Sequence, residues 1–130
     1  MNKILEVLVL DDEMDDRSWF YDTFIGCNIA STSEPGHITE ILKTFDYDIV
    51  FLDGELGEEQ EHGGKDVTFT LMKLKIALDT TFVIHATDPF LQELMKSHLE
   101  KHHSKFYVIP YPELIKMKRE DFKIFEDEEE

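Results

Sequence analysis

The stretch that decides the fold is Ile4-Leu5-Glu6-Val7-Leu8-Val9-Leu10, which is followed at once by Asp11-Asp12-Glu13. It is a short, almost continuous apolar run rich in branched side chains, as expected for a strand buried on both faces. A second run of this kind, Ile49-Val50-Phe51-Leu52, also ends at an acid, Asp53. Buried strands of this type are typical of parallel sheets that are covered by helices.

Strands and helices alternate along the rest of the chain. Apolar periodicity and helix start and stop signals predict helices at 16–24, 37–45, 65–78 and 89–101. A last, short helix is predicted around 113–118. Short apolar runs predict strands at 4–10, 28–31 (weakly), 48–52, 80–84 and 105–109. Five alternations predict an α/β fold with a doubly wound, five-stranded parallel sheet. We expect one domain over residues 1–125 and an acidic tail over 126–130.

Composition limits the partners. The chain has 130 residues and a net charge of −16, so its field repels nucleic acid and disfavours general binding to DNA or RNA. It has no apolar run of about 18 residues, so we expect no membrane span. The single cysteine, Cys27, allows no internal disulfide, and the N-terminus does not resemble a signal peptide. These features favour a cytoplasmic protein.

Three acidic residues follow two of the predicted strands. Parallel sheets bind ligands in the crevice beyond the carboxyl ends of their strands. Asp11 and Asp12 follow the first strand and Asp53 follows the third, and these strands are neighbours in the usual order for this fold. Carboxylates brought together repel, and a hard divalent ion such as Mg²⁺ relieves the repulsion. The alternative is that each acid only caps the helix that follows.

Other polar residues lie at the same predicted edge. His85 ends the fourth strand. There it is a candidate general acid or base, or a candidate contact to a phosphate. The alternative is a histidine that is only packed at the strand end. Backbone amides near Gly57, Gly63 and Gly64 can approach an anion, although a plain flexible loop explains these glycines as well. Asp66 fits an acid in the first turn of a helix better than a site residue.

A histidine pair lies near the end of the helix before the fifth strand. His98 and His102 are four residues apart, a spacing that can chelate a transition metal. Without a further ligand in the sequence, a solvated helix end is the simpler interpretation.

The chain resembles the receiver domains of response regulators. The resemblance lies in Val7-Leu8-Val9-Leu10-Asp11-Asp12-Glu13 and in Ile49-Val50-Phe51-Leu52-Asp53, and it extends over nearly the whole chain. It implies a flavodoxin-like receiver fold with Asp53 as phosphoacceptor and Thr87 as the hydroxyl that senses the phosphoryl group. Receivers end their fifth strand with Lys-Pro, whereas this chain has Ile109-Pro110. The lysine that pairs with the phosphoryl oxygens is therefore absent.

A narrower resemblance is to a divergent receiver-like branch proposed to process cyclic phosphates. The matching segments are Leu10-Asp11-Asp12-Glu13, Asp53-Gly54-Glu55-Leu56-Gly57, Gly64-Lys65-Asp66 and His85-Ala86-Thr87-Asp88-Pro89. The departures from that branch are Gly54 for histidine, Glu55 for aspartate, Ala86 for serine and Asp88 for asparagine.

These resemblances imply a set of site residues. The implied ligands of Mg²⁺ or Mn²⁺ are Asp11 (through water in receivers), Asp12, Asp53 and Glu55. The phosphate-binding candidates are Thr87, Gly57 and Gly64. The catalytic candidates are Asp53, His85 and Thr87.

Three functions remain open from the sequence. The first is a metal-dependent domain that handles a phosphate-bearing small molecule, with phosphoesterase activity on a cyclic phosphate left open. The second is a stand-alone atypical receiver phosphorylated on Asp53 by a phosphodonor protein. The third is a pseudo-receiver that only binds a partner protein. Whether the chain forms a homodimer through its last strand and helix is also left open.

Overall fold

The computed structural model describes residues 4–11, 14–53 and 63–122. The strands are β1 (Glu6–Leu10), β2 (Asn28–Thr32), β3 (Ile49–Leu52), β4 (Thr81–Ile84) and β5 (Lys105–Val108). The helices are α1 (Met14–Thr23), α2 (Pro35–Thr44), α3 (Gly64–Leu74), α4 (Pro89–His102) and α5 (Tyr111–Leu114), followed by a 3-10 helix at Arg119–Phe122. The alternation of strands and helices predicted from the sequence is confirmed.

The strands form one parallel sheet. Their order is β2-β1-β3-β4-β5, and every neighbouring pair is parallel. This is the flavodoxin-like order, in which the chain reverses its winding direction between β1 and β3. The predicted fold class is therefore confirmed, and its usual ligand crevice lies where β1 and β3 end.

Two hydrophobic clusters cover the two faces of the sheet. The even-numbered residues of β1, β3 and β4 pack with residues of α2, α3 and α4. The odd-numbered residues of the same strands pack with Phe20 and Phe24 of α1 and with Leu114 of α5. Because both faces of these strands are buried, their sequences are apolar at consecutive positions instead of alternating.

The predicted end of α3 was wrong. The helix ends at Leu74 instead of residue 78, because Lys75 and Ala77 both adopt left-handed backbone conformations with φ of 56°. Leu78, at the end of the predicted helix, is 49% exposed. The carbonyl of Ile76 instead accepts a 2.6 Å hydrogen bond from His102 of α4, which holds the turn that leads into β4.

The last helix also differs from its prediction around 113–118. It begins at Tyr111 and ends at Leu114, because Pro110 occupies its N-cap and Pro112 its first turn. Proline at these positions sets the backbone angle that a helix start requires. Leu114 is fully buried and fixes the short helix against the sheet. The other element boundaries differ from the predictions by at most two residues.

Two helix starts agree with their sequence signals. The Asp88 side chain accepts a 2.8 Å hydrogen bond from the Phe90 amide, as expected for an N-cap before Pro89. The Asp66 side chain accepts a 2.9 Å hydrogen bond from the Gly63 amide, which is the helix-start role predicted for it. Among the described residues, no helix combines the length and the apolar character that crossing a bilayer requires.

Candidate metal centre at the carboxyl edge of the sheet

The candidate site is the row of residues that directly follows the strands. The Asp53 amide donates a 3.0 Å hydrogen bond to the Leu10 carbonyl, and the His85 amide donates a 3.0 Å hydrogen bond to the Leu52 carbonyl. These bonds continue the parallel ladder by one row beyond β3 and β4. Asp11 occupies the same row on β1, because Leu10 pairs with Leu52 in the row below.

The three polar side chains of this row belong to one face of the sheet. Successive side chains of a strand point to opposite faces. Two positions before Asp11, Asp53 and His85 stand Val9, Phe51 and Val83, all in the cluster under α1 and α5. The polar residues therefore extend that face beyond the end of the apolar core.

Asp11, Asp53 and His85 converge on one point. One ligand atom from each of them lies within 4.8 Å of the others. The Nε2 atom of His85 is 3.1 Å from the Oδ2 atom of Asp11, and these two side chains are 1% and 0% exposed. Asp53 is half-buried, so solvent reaches its side chain better than it reaches the other two. A divalent ion fits between two carboxylates and an imidazole of this arrangement.

The His85 ring is held in place by its neighbours. Its centroid lies 5.6 Å from that of Phe20 and 6.3 Å from that of Tyr111. Because an ionised carboxylate can only accept, a hydrogen bond to Asp11 requires the proton on Nε2. The Nδ1 atom is buried and has no hydrogen-bond partner among the residues that the structure describes.

Ile109 occupies the next position of the same row. Its amide donates a 2.9 Å hydrogen bond to the Ile84 carbonyl, so the ladder continues from His85 to the residue after β5. The Ile109 side chain packs against the cluster under α1 and α5. Lys105 pairs with Thr81 at the opposite end of β5. It therefore cannot take the place of a lysine at position 109.

Gly64 brings the start of α3 against Asp53. A Cβ atom at Gly64 would lie 2.5 Å from the Asp53 carbonyl oxygen and 2.5 Å from the Cε atom of Met95. Only glycine allows such a close approach to backbone. Gly64, predicted to bind phosphate through its amide, is thus placed beside the backbone of Asp53.

The remaining predicted residues divide into two groups. Thr87 is exposed and lies beyond the end of β4. Asp12, Glu55 and Gly57 lie outside the described residues, and so does the acidic tail at 126–130. The sequence predicted His85 as a catalytic candidate but not as a member of the metal cluster. Its position directly after β4, like that of Asp53 after β3, is the signal that could have identified it as a ligand.

The pair formed by His98 and His102 does not lie at a solvated helix end. His102 is 2% exposed, and the His98 Nδ1 atom lies 2.9 Å from the Thr68 hydroxyl of α3. That prediction was wrong because α4 turns this end of the helix toward α3. Burial lowers the pKa of His98, and Lys101 lowers it further, although Asp66 opposes the shift.

Comparison with known proteins supplies the fold but no family assignment. No family model matches the chain, and no curated protein matches it in sequence. Solved structures do match. The beryllofluoride-activated receiver domain of DrrB is 12% identical with a TM-score of 0.69, and the match covers 96% of this chain and 99% of that one. The chain has the receiver fold.

Two further receiver structures agree over nearly the full chain. The receiver domain of the Francisella response regulator 1452 is 15% identical with a TM-score of 0.68, covering 97% of this chain and 99% of that chain. The receiver domain of an HD domain-containing protein from Pseudomonas fluorescens Pf-5 is 11% identical with a TM-score of 0.66, covering 97% and 94%. At these identities the receiver likeness is one of fold, and function has to be argued from the site.

Proposed function

We propose that the chain is a divalent-metal-binding receiver-like domain that takes a phosphate group at the carboxyl edge of its sheet. The observation that carries this proposal is the convergence of Asp11, Asp53 and His85 within 4.8 Å on the face beneath α1 and α5. We further propose that the phosphate belongs to a small molecule, of which a nucleoside cyclic phosphate fits the second sequence resemblance best.

The charges of the cluster favour a metal ion, and they favour a phosphate only once that ion is bound. Asp11 and Asp53 place two carboxylates in one small volume, and like charges at this distance repel. An anionic ligand would be repelled by the same pair. A divalent cation between the carboxylates removes both difficulties, and Mg²⁺ or Mn²⁺ suits their oxygen atoms.

The two carboxylates would have different roles. Asp11 is fully buried and held by His85, so it suits the fixed side of a metal site. Asp53 is half-buried, so it suits the side of the site that a ligand reaches from solvent. When bound, the metal would polarise the phosphate oxygens. Thr87 and the amide of Gly64 are our candidates for direct phosphate contacts, together with Gly57.

A second candidate is an atypical receiver in which a phosphodonor protein phosphorylates Asp53. The likeness of its fold to receiver domains favours this candidate. Ile109 weighs against it, because a lysine at this position would supply a charge-assisted contact to the phosphoryl oxygens, which is worth about 1.5–3 kcal/mol. The position of His85 in the cluster favours the cyclic-phosphate reading.

Some aspects of the proposal rest on sequence alone. We infer a cytoplasmic location from the single cysteine, Cys27, which fits a reducing compartment. A homodimer through the last strand and helix stays a prediction.

The test is a set of NMR titrations in the presence of Mg²⁺. One uses beryllofluoride, a phosphoryl mimic, and the other uses nucleoside 2′,3′-cyclic phosphates and cyclic nucleotides, with ³¹P spectra to detect product. We expect a cyclic phosphate to shift the signals of His85 and Gly64, and Asp53→Asn to abolish the response. A response to beryllofluoride alone would favour the atypical receiver. No response to Mg²⁺, and none to Mn²⁺ or Zn²⁺ in its place, would contradict both and leave a partner-binding pseudo-receiver.

A further inference from the structure

We propose that His85 is itself a metal ligand, through Nε2, so that the site prefers transition-metal ions such as Mn²⁺, Co²⁺ or Zn²⁺ to Mg²⁺. The inference rests on the proposed function in one respect, because it requires that Asp11 and Asp53 bind a divalent cation. It goes beyond that function by replacing an all-oxygen site with an Asp-Asp-His site. It also gives His85 a role other than acid–base chemistry.

The distance between the two buried ligand atoms fits a coordination shell. Adjacent ligand atoms at about 2.0–2.1 Å from a metal are roughly 2.8–3.0 Å apart in octahedral geometry and about 3.3–3.4 Å apart in tetrahedral geometry. The observed distance from His85 Nε2 to Asp11 Oδ2 is 3.1 Å. A metal can therefore replace the proton between these atoms without moving either residue far. Asp53 contributes a third ligand atom within 4.8 Å of both.

The ligands are held rigidly before any metal arrives. Each is the first residue after a buried strand, and the backbone hydrogen bonds of Asp53 and His85 continue the ladder. Phe20 and Tyr111 flank the imidazole. Because the Asp11 and His85 side chains are buried and hydrogen-bonded to each other, they have little freedom to lose when a metal binds.

Burial also separates the metal-ligand role from an acid–base role. His85 is 2% exposed, so a substrate has little access to its ring within the described part of the chain. Asp53, the half-buried member of the cluster, offers an incoming metal ion its first ligand beside Nε2. The imidazole is then a ligand of the ion and does not need to touch the substrate.

The donor set discriminates between metals. Mg²⁺ demands oxygen ligands in near-ideal octahedral geometry and keeps several waters, whereas imidazole nitrogen suits Zn²⁺ and other later ions of the first transition row. Two carboxylates and one neutral imidazole carry a formal charge of −2, which a divalent ion balances. Ile109 contributes no positive charge that would compete with the ion.

Metal binding would leave a signature on the ring. With the metal on Nε2, a neutral imidazole carries its proton on Nδ1, the buried atom that has no partner among the described residues. The two nitrogen atoms therefore exchange roles, and their ¹⁵N shifts report this without any assay of activity.

The experiment combines calorimetry with long-range ¹H–¹⁵N spectra of the imidazole rings. Mg²⁺, Mn²⁺ and Zn²⁺ are titrated into the metal-free chain, its His85→Gln variant and the control variant His102→Gln. His102 is also 2% exposed, but its Nε2 binds the Ile76 carbonyl at the opposite end of the sheet, so His102→Gln should leave metal binding unchanged. Glutamine at 85 keeps a side chain of similar length and removes the ring nitrogen.

We expect Zn²⁺ and Mn²⁺ to bind more tightly than Mg²⁺ and Zn²⁺ to shift the Nε2 signal of His85. We also expect His85→Gln to weaken Zn²⁺ binding by about tenfold or more, since loss of an outer-shell partner of a ligand alone costs about tenfold to a hundredfold, while changing Mg²⁺ binding little. If His85→Gln does not fold, the Nε2 signal of the unmodified chain decides. Mg²⁺ binding without any response of His85 to Zn²⁺ would overturn the inference and leave the proposed function standing. Zn²⁺ binding that shifts only His98 or His102 would also overturn it. Failure of every divalent ion to bind would overturn both.

Discussion

The Nε2 atom of His85 lies 3.1 Å from the Oδ2 atom of Asp11, although the two residues are 74 positions apart in the chain. The strands that precede them, β1 and β4, are not neighbours, because β3 lies between them in the sheet. The side chains thus meet across the end of β3, where Asp53 follows. Both are buried, and a hydrogen bond to a charged group is stronger in such surroundings than at the surface.

The pair should contribute to stability even without metal. We expect a double-mutant cycle with Asp11→Ala and His85→Phe to give a coupling energy of about 1.5–3 kcal/mol, the usual value for a hydrogen bond to a charged group. Phenylalanine keeps a ring against Phe20 and Tyr111 while it removes both nitrogen atoms. The measurement is urea unfolding in a chelating buffer at pH 7. Coupling below about 0.5 kcal/mol would mean that the two side chains are independent.

The tight approach of Gly64 to Asp53 predicts opposite effects for two glycine substitutions. Gly64→Ala should destabilise the chain by about 1–3 kcal/mol, because its Cβ would lie 2.5 Å from a backbone oxygen. Gly36→Ala is the matched control, since Gly36 also lies in the first turn of a helix, and a Cβ atom there would meet no other described part of the chain within 4 Å beyond its own turn. Alanine there should stabilise α2 by about 0.5–1 kcal/mol.

Metal affinity provides a second readout for the same two variants. Gly64→Ala should also weaken divalent-metal binding, because the substitution displaces Asp53, whereas Gly36→Ala should not. Equal stability and equal metal affinity in both variants would contradict the placement of α3 against the site.

A lysine introduced at position 109 should favour the atypical-receiver function over metal binding to the free chain. We expect Ile109→Lys to weaken Mg²⁺ or Mn²⁺ binding to the free chain, because the new charge lies one row position from His85. It should strengthen beryllofluoride binding by about tenfold or more, which corresponds to one charge-assisted contact. Calorimetry measures both affinities, with Ile109→Leu as the control. An unchanged beryllofluoride affinity would remove position 109 from the phosphate site.

Much of the fold could be predicted from the sequence because β1, β3 and β4 are buried on both faces. Their continuous apolar sequences identify them as central strands without any knowledge of tertiary contacts. The end of α3 was not readable, because Leu74 and Leu78 continue the helical period while Lys75 and Ala77 turn the backbone. Neither residue is a glycine, so the sequence carries no stop signal there.

The site was predictable only in part, for a similar reason. Asp11 and Asp53 follow obvious strands, so their convergence follows from the sheet alone. The contact between His85 and Asp11 depends on the face that each side chain occupies and on reach across β3, which periodicity within one element does not encode. His102 was misjudged in the same way, because its burial depends on the packing of α4 against α3.

The lowered pKa of His98 predicts how stability changes with pH. Because its folded-state pKa lies below the ordinary value of 6.5, the unfolded chain binds more protons in the interval between the two values. This contribution to stability is therefore complete above about pH 6.5 and is lost as the pH falls through that interval toward the folded-state pKa. His98→Gln should flatten this part of the profile of unfolding free energy against pH.

The control for that profile is an exposed histidine. His103 is exposed and adopts a left-handed conformation that asparagine tolerates, so His103→Asn should retain the slope. Equal slopes in the unmodified chain and in His98→Gln would contradict the role of His98.

The most direct test of the central claim is the position of a metal ion in crystals grown with Mn²⁺, located by its anomalous scattering. The account predicts a peak about 2 Å from carboxylate oxygens of Asp11 and Asp53, at the carboxyl ends of β1 and β3. A peak anywhere else, or none at an ion concentration that saturates binding in solution, would contradict the account of this edge as a metal site.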